Sequence, residues 1–152
     1  MISALRPFLT LTFAAAVLAV APPPAQAAHP GKVQTYSLSQ AEARLKALGM
    51  DDIEQINDNA VRFEREGSPF LLYRFDDGDL QLYYGVTGVT ADLELINAWN
   101  RDHRLSRAYV DAEGDYVLES DLLADEGVTQ DQLDHFIEVF FMLKAEFVDH
   151  ID

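Results

Sequence analysis

The chain has 152 residues, room for one domain of ordinary size. Its 26 acidic and 11 basic side chains leave a formal charge of −15, which repels the phosphates of nucleic acid and the headgroups of anionic lipid. Zero Cys excludes disulfides, thiolate metal sites and a Cys nucleophile.

Residues 1–27 read as a secretory signal. Arg6 precedes an uncharged run from Phe8 to Ala21, Pro22 to Pro24 stop any helix, and Ala25 and Ala27 put small residues before a cut at Ala28. The apolar run of 14 residues is shorter than the roughly 20 a bilayer span needs, so cleavage rather than anchoring is expected. The product would be periplasmic or secreted, with no membrane attachment after processing. Cleavage removes one Arg and no acid, which leaves 125 residues with a net charge of −16. Residues 28–36 read as a flexible lead-in and residues 37–150 as one domain.

Ser37 or Ser39 can cap a first helix, with Glu42 in capping-box register to Ser39 and Gly49 as its stop. A strand over 61–66 has a short apolar face and reads as an edge. The segment Phe70 to Phe75 is apolar on both faces and reads as a central strand. Asp76-Asp77-Gly78-Asp79 is a hairpin signal leading into Leu80 to Val86. Thr90 is placed to cap a second helix, with Leu93, Ile96 and Trp99 as its buried stripe, widened by Leu95. Two more strands, Arg107–Asp111 and Tyr116–Leu122, follow. Thr129 caps a last helix reaching about Phe147, whose stripe is Leu133, Phe136, Ile137, Phe140 and Phe147. The order α-β-β-β-α-β-β-α predicts an α+β fold, an antiparallel sheet of about five strands packed with three helices.

Within residues 92–147 stand an Ile-Asn-Ala-Trp-Asn helix, a Ser-Arg-Ala-Tyr strand, an acidic Gly-Asp turn, a Val-Leu-Glu-Ser-Asp strand and a Gly-Val-Thr helix start. Together they resemble the YbjN family, whose members are described as bacterial sensory transduction regulators. The element order also resembles that of type III secretion chaperones, dimeric binders of unfolded protein segments. The resemblance implies a non-enzymatic domain and defines no molecular activity for it.

The candidates for chemistry are weak. His29, His103, His135 and His150 form no ligand spacing, and a solvated or helix-capping role accounts for them. The acidic turns at 76–79 and 111–115 lack the ligand spacing of a calcium loop and read as hairpins. Ser68, Ser106 and Ser120 sit in no nucleophile motif. No catalytic residue, metal or cofactor is proposed on these grounds; a metal-assisted hydrolase using acidic turn residues is the remote alternative.

The interaction signals are stronger. Residues 108–152 hold 13 acids and one base, Lys144. Arg101, His103, Arg104 and Arg107 make a compact basic spot that could hold an acidic segment. On the last helix Val139, Phe141 and Met142 fall off the main stripe, and a helix apolar on two sides usually buries both. Phe70 and Leu72 would form an apolar surface if their sheet face lay open. The reading is therefore an exported, non-enzymatic regulator that binds a protein segment or a second copy through Phe70, Leu72, Val139, Phe141, Met142, Arg101, Arg104 and Arg107. An envelope chaperone-like or structural protein is the alternative.

Overall fold

The computed structural model describes residues 31–90 and 92–152. The expected signal segment, residues 1–27, and His29 lie outside the described residues. The element order is α1 (Leu38–Ala47), β1 (Asp51–Asn57), β2 (Ala60–Arg65), β3 (Ser68–Arg74), β4 (Leu80–Val86), α2 (Leu93–Asp102), β5 (Arg107–Val110), β6 (Tyr116–Leu122) and α3 (Gln130–Ile151). The strands form one six-stranded antiparallel sheet in the order β1-β2-β3-β4-β6-β5. The fold is α+β as expected, with six strands instead of five.

The added strand is β1, and its chemistry explains why it escapes a periodicity search. DDIEQIN has no buried residue, Asp52 has a φ of 44°, and the register slips twice against β2. Backbone pairing holds it, and its acids and irregularities protect an outer edge from stray pairing. Because β1 takes the edge, β2 is an inner strand rather than the edge expected of it. Val61 and Phe63 are fully buried.

All three helices pack on one sheet face. There Val61 opposes Leu72, Leu72 opposes Leu82, and Phe63 opposes Phe70. The core continues through Leu80, Leu118, Leu133, Ile137, Phe140 and Phe147. Phe70 and Leu72 therefore point under the helices and are core, not an open apolar surface. The period-2 alternation was legible, but which face the helices would cover was not.

Local chemistry sets the helix ends. Ser37 and Gln40 form the capping box of α1, so Ser37 caps rather than Ser39 with Glu42. Thr129 and Gln132 form the same box on α3, as expected of Thr129, and the helix runs past Phe147 to Ile151. Asp92, not Thr90, caps α2: its carboxylate accepts from the Glu94 amide at 2.8 Å, and its own amide donates to the Tyr116 hydroxyl at 2.5 Å. Leu93, the first residue of the helix, is 70 % exposed, which leaves Ile96 and Trp99 as the buried pair. A two-pronged Arg44–Asp134 ion pair joins α1 to α3.

The end of the expected lead-in takes part in the fold. Gln34 and Val128 exchange two backbone hydrogen bonds of 3.0 Å, Tyr36 is buried, and the Arg74 side chain donates to the Tyr36 carbonyl at 3.0 Å.

Candidate functional site

The long helix α3 carries more apolar side chains than one core stripe can use. Leu133, Ile137, Phe140, Leu143 and Phe147 are buried against the sheet. Glu138, Phe141, Met142 and Ala145 follow at helical spacing on another stripe, and they line a groove of about 460 Å³ with Arg65, Glu66, Phe70 and Lys144. Phe141 is half-buried there, edge-on to Phe70 at 5.1 Å between ring centroids, with the Arg65 guanidinium 4.1 Å over its face. Lys144 donates to the Ser68 hydroxyl at 3.1 Å and lies over the Tyr84 ring. These two cations fix the groove walls. Met142, on its rim, is 58 % exposed and has a flexible thioether suited to varied partners.

Val139 belongs to a different groove. It lies with Leu105, Ser120, Asp121, Leu122, Gln132, His135 and Phe136 in a space of about 310 Å³ between α3 and β6. The eight residues expected to act together are thus divided. Phe141 and Met142 share one groove with the buried Phe70, Val139 sits in another, and Leu72 is sealed in the core.

The basic spot is divided as well. Arg101 is paired with Asp102, its neighbour in sequence, through two hydrogen bonds of 2.8 and 2.7 Å. Arg107 lies across the sheet from the helices and is paired with Glu119. Arg104 is exposed. His103 is withdrawn from the spot, stacked flat on Trp99 with ring centroids 3.6 Å apart. Glu146 approaches the His103 Nε2 at 3.8 Å, one carboxylate rather than the converging set a hydrolase would need. Among the described residues no group of three or more His, Asp or Glu could hold a metal ion, and no helix is long and apolar enough to cross a membrane.

The sheet face opposite the helices carries a feature that no motif announced. Register places Glu54, Arg62, Leu71, Tyr83, Glu119 and Arg107 in one row across all six strands. Glu119 is buried and accepts from Arg107 and, at 2.6 Å, from the Tyr109 hydroxyl. Tyr73 and Tyr83 meet edge to face at 6.3 Å. Burial pushes the phenols of Tyr73, Tyr83 and Tyr109 above the ordinary tyrosine value, and the Glu119 carboxylate pushes them further. For Tyr109 its hydrogen bond to Glu119 adds to this. The signal in the sequence was one tyrosine on the half-exposed face of each of β3, β4 and β5, which reads only as half-exposed strand until the register is known.

This arrangement has a consequence at high pH. Raised phenol pKa values mean that the folded state holds its protons longer than the unfolded chain. The associated stability is complete below pH 10, the ordinary tyrosine value, and is lost as pH rises toward the raised folded values. Glu119→Gln removes the negative charge these phenols share. A spectrophotometric phenolate titration is expected to shift to lower pH in the variant, with a shallower alkaline loss of stability. An unchanged titration would show that burial, with Asp111 beside Tyr83, sets the phenols without Glu119.

The comparisons agree with the architecture. No curated protein matches the chain. Among solved structures, YbjN from E. coli, titled a putative transcription regulator, superposes with a TM-score of 0.66 at 17% identity, over 77% of this chain and 92% of that one. The Yersinia pestis type III secretion chaperone SycH, solved in complex with a stable fragment of YscM2, superposes with a TM-score of 0.57 at 16% identity, over 77% of this chain and 100% of that one. At such identities the likeness is one of fold. The family model for YbjN, described as "Putative bacterial sensory transduction regulator", matches residues 38–152, and with most of the chain covered, this protein belongs to the YbjN family.

Proposed function

We propose that this chain is an exported regulator of the YbjN kind that acts by binding a protein segment and performs no chemistry of its own. The observation that carries the reading is the groove on α3. A soluble protein that leaves Met142 exposed beside a half-buried Phe141, between walls fixed by Arg65 and Lys144, has a surface shaped for an apolar side chain from outside. The solved complex of SycH with a YscM2 fragment supports this reading, since there a chaperone of similar fold holds a protein segment. Export rests on the pattern of residues 1–27: a positive start, an uncharged run of 14 residues, a proline stop and an Ala-Gln-Ala site.

A photo-activated crosslinker at Ala145, beside the groove, is expected to capture a defined protein in cells. Met142→Glu should lower the yield about tenfold while changing thermal stability little, because a charge placed in an apolar contact opposes binding and Met142 is already exposed. Fractionation should find the protein outside the cytoplasm, beginning at Ala28. Retention of residues 1–27 in the cytoplasm would overturn the export reading. Crosslinks indifferent to Met142→Glu would overturn the groove.

A further inference from the structure

The free edge of β6 lies beside a different stripe of α3 from the Met142 groove. β5 has four residues and β6 has seven, and their pairing ends at Arg107 with Glu119. Ser120, Asp121 and Leu122 pair with β4 on one side. On the other side, among the described residues, they have no strand. Leu105 turns the chain away from the line that β5 would continue along, with a φ of 66°, and the Ser120 hydroxyl holds its carbonyl at 2.6 Å. The side chain of Leu105 is left 68 % exposed at the mouth of the gap.

Two cavities open along this edge and share Leu105, Ser120 and Asp121. One, of about 310 Å³, is lined on the helix side by Leu122, Phe136 and Val139. The other, of about 330 Å³, runs beside Ser106, Arg107 and Glu119. An unpaired strand edge offers backbone donors and acceptors to an incoming strand, whose side chains then alternate between the two faces. Here one face of the gap is mostly apolar, with Gln132 and His135 beside Leu122, Phe136 and Val139. The other holds Asp121, which accepts a hydrogen bond from Gln81 at 2.7 Å, and Arg107, whose guanidinium is paired with Glu119. The chain continues into the exposed acids Asp125 and Glu126.

We propose that this edge takes a short extended segment of a partner protein in which apolar and basic residues alternate. The apolar residues face Leu105, Leu122, Phe136 and Val139, and a Lys or Arg meets Asp121. Charge selects this occupant over a second copy. A two-fold pairing of this edge with itself would bring Asp121 close to its own mate. It would also bring the exposed acids Asp125 and Glu126 of each copy toward the same edge, in a half of the chain whose residues 108–152 hold 13 acids and one base.

The test uses the full chain and a fluorescent hexapeptide of alternating valine and lysine, read by anisotropy, with a valine–glutamate hexapeptide of the same length as its counterpart. Saturable binding of the first is expected, with the second weaker by at least about tenfold. Asp121→Lys should reverse the preference. Leu105→Gly removes the apolar lip and relieves the positive φ, so it should fold at least as well as the wild type while binding about fivefold more weakly. Hydrogen exchange should show the peptide slowing amides within 120–122 and leaving Met142 and its neighbours unaffected. Equal binding of the two peptides, indifference to both substitutions, or protection elsewhere would overturn the proposal. So would a peptide-free dimer that Leu105→Gly dissolves, since a second copy would then be the occupant. Met142→Glu leaves this binding intact if the edge is the site, so failure here and failure of the Met142 groove are separate results.

Discussion

Trp99→Ala is expected to destabilise the domain by about 3–5 kcal/mol, the largest effect of any single truncation proposed. The indole is fully buried between α2 and α3. Phe147 packs edge-on against it at 5.1 Å, His103 stacks on it at 3.6 Å, and His150 approaches at 5.6 Å between ring centroids. Its ring N–H donates to the Ser106 hydroxyl at 3.2 Å. Alanine would remove the apolar contacts, leave a void that two helices cannot close without sliding, and strip the Ser106 hydroxyl of its donor. Domains of this size are stable by only about 5–15 kcal/mol, so the variant would be poorly populated or unfolded at physiological temperature. Urea denaturation followed by far-ultraviolet circular dichroism measures it. A loss below about 1 kcal/mol would mean that α2 is not anchored through its tryptophan.

Gly127→Ala should cost about 2–3 kcal/mol by a different mechanism. Gly127 has a φ of 87°, and a Cβ there would stand 2.9 Å from the Gln34 carbonyl carbon and 3.0 Å from a Val33 methyl. The first term is the conformational strain of placing an L-residue at that φ. The second is displacement of the 33–34 backbone, which breaks the paired hydrogen bonds between Gln34 and Val128. Gly49→Ala separates the two terms. Gly49 has a similar φ of 80°, but nothing lies within 4 Å of a Cβ there. The difference in melting temperature between the variants then reports the close approach alone. Loss of exchange protection at Gln34 and Val128 in Gly127→Ala only would locate it. Equal costs would show that the 33–34 segment yields freely.

The two experiments probe different kinds of information. Trp99 and the α3 stripe are legible in the sequence because a helix repeats its buried face every 3.6 residues, so period and identity together name the core. The Thr129 cap is legible because a cap hydroxyl acts on amides two or three residues on; at α1 the same local rule left Ser37 and Ser39 open, and Gln40 rather than Glu42 closes the box. Thr90 misleads for the same local reason: it is a good cap residue. Asp92 prevails through the Tyr116 hydroxyl, 24 positions away in sequence. β1 left no period because an edge strand held by backbone bonds need bury nothing.

The alternation and helical spacing of apolar residues were enough for the α+β class, the helices and most of the strands, and the short motifs within residues 92–147 carried the family resemblance. All of these rest on interactions between near neighbours in the chain. The tertiary structure alone decided which sheet face the helices cover, and with it whether Phe70 and Leu72 are core or surface. It also decided that Arg101 and Arg107 are occupied by acids, that Val139 and Met142 open into separate grooves, and that three tyrosines gather round Glu119. Each of these depends on strand register and helix placement between residues far apart in sequence. A shift of one residue in that register would turn every side chain of a strand to the opposite face.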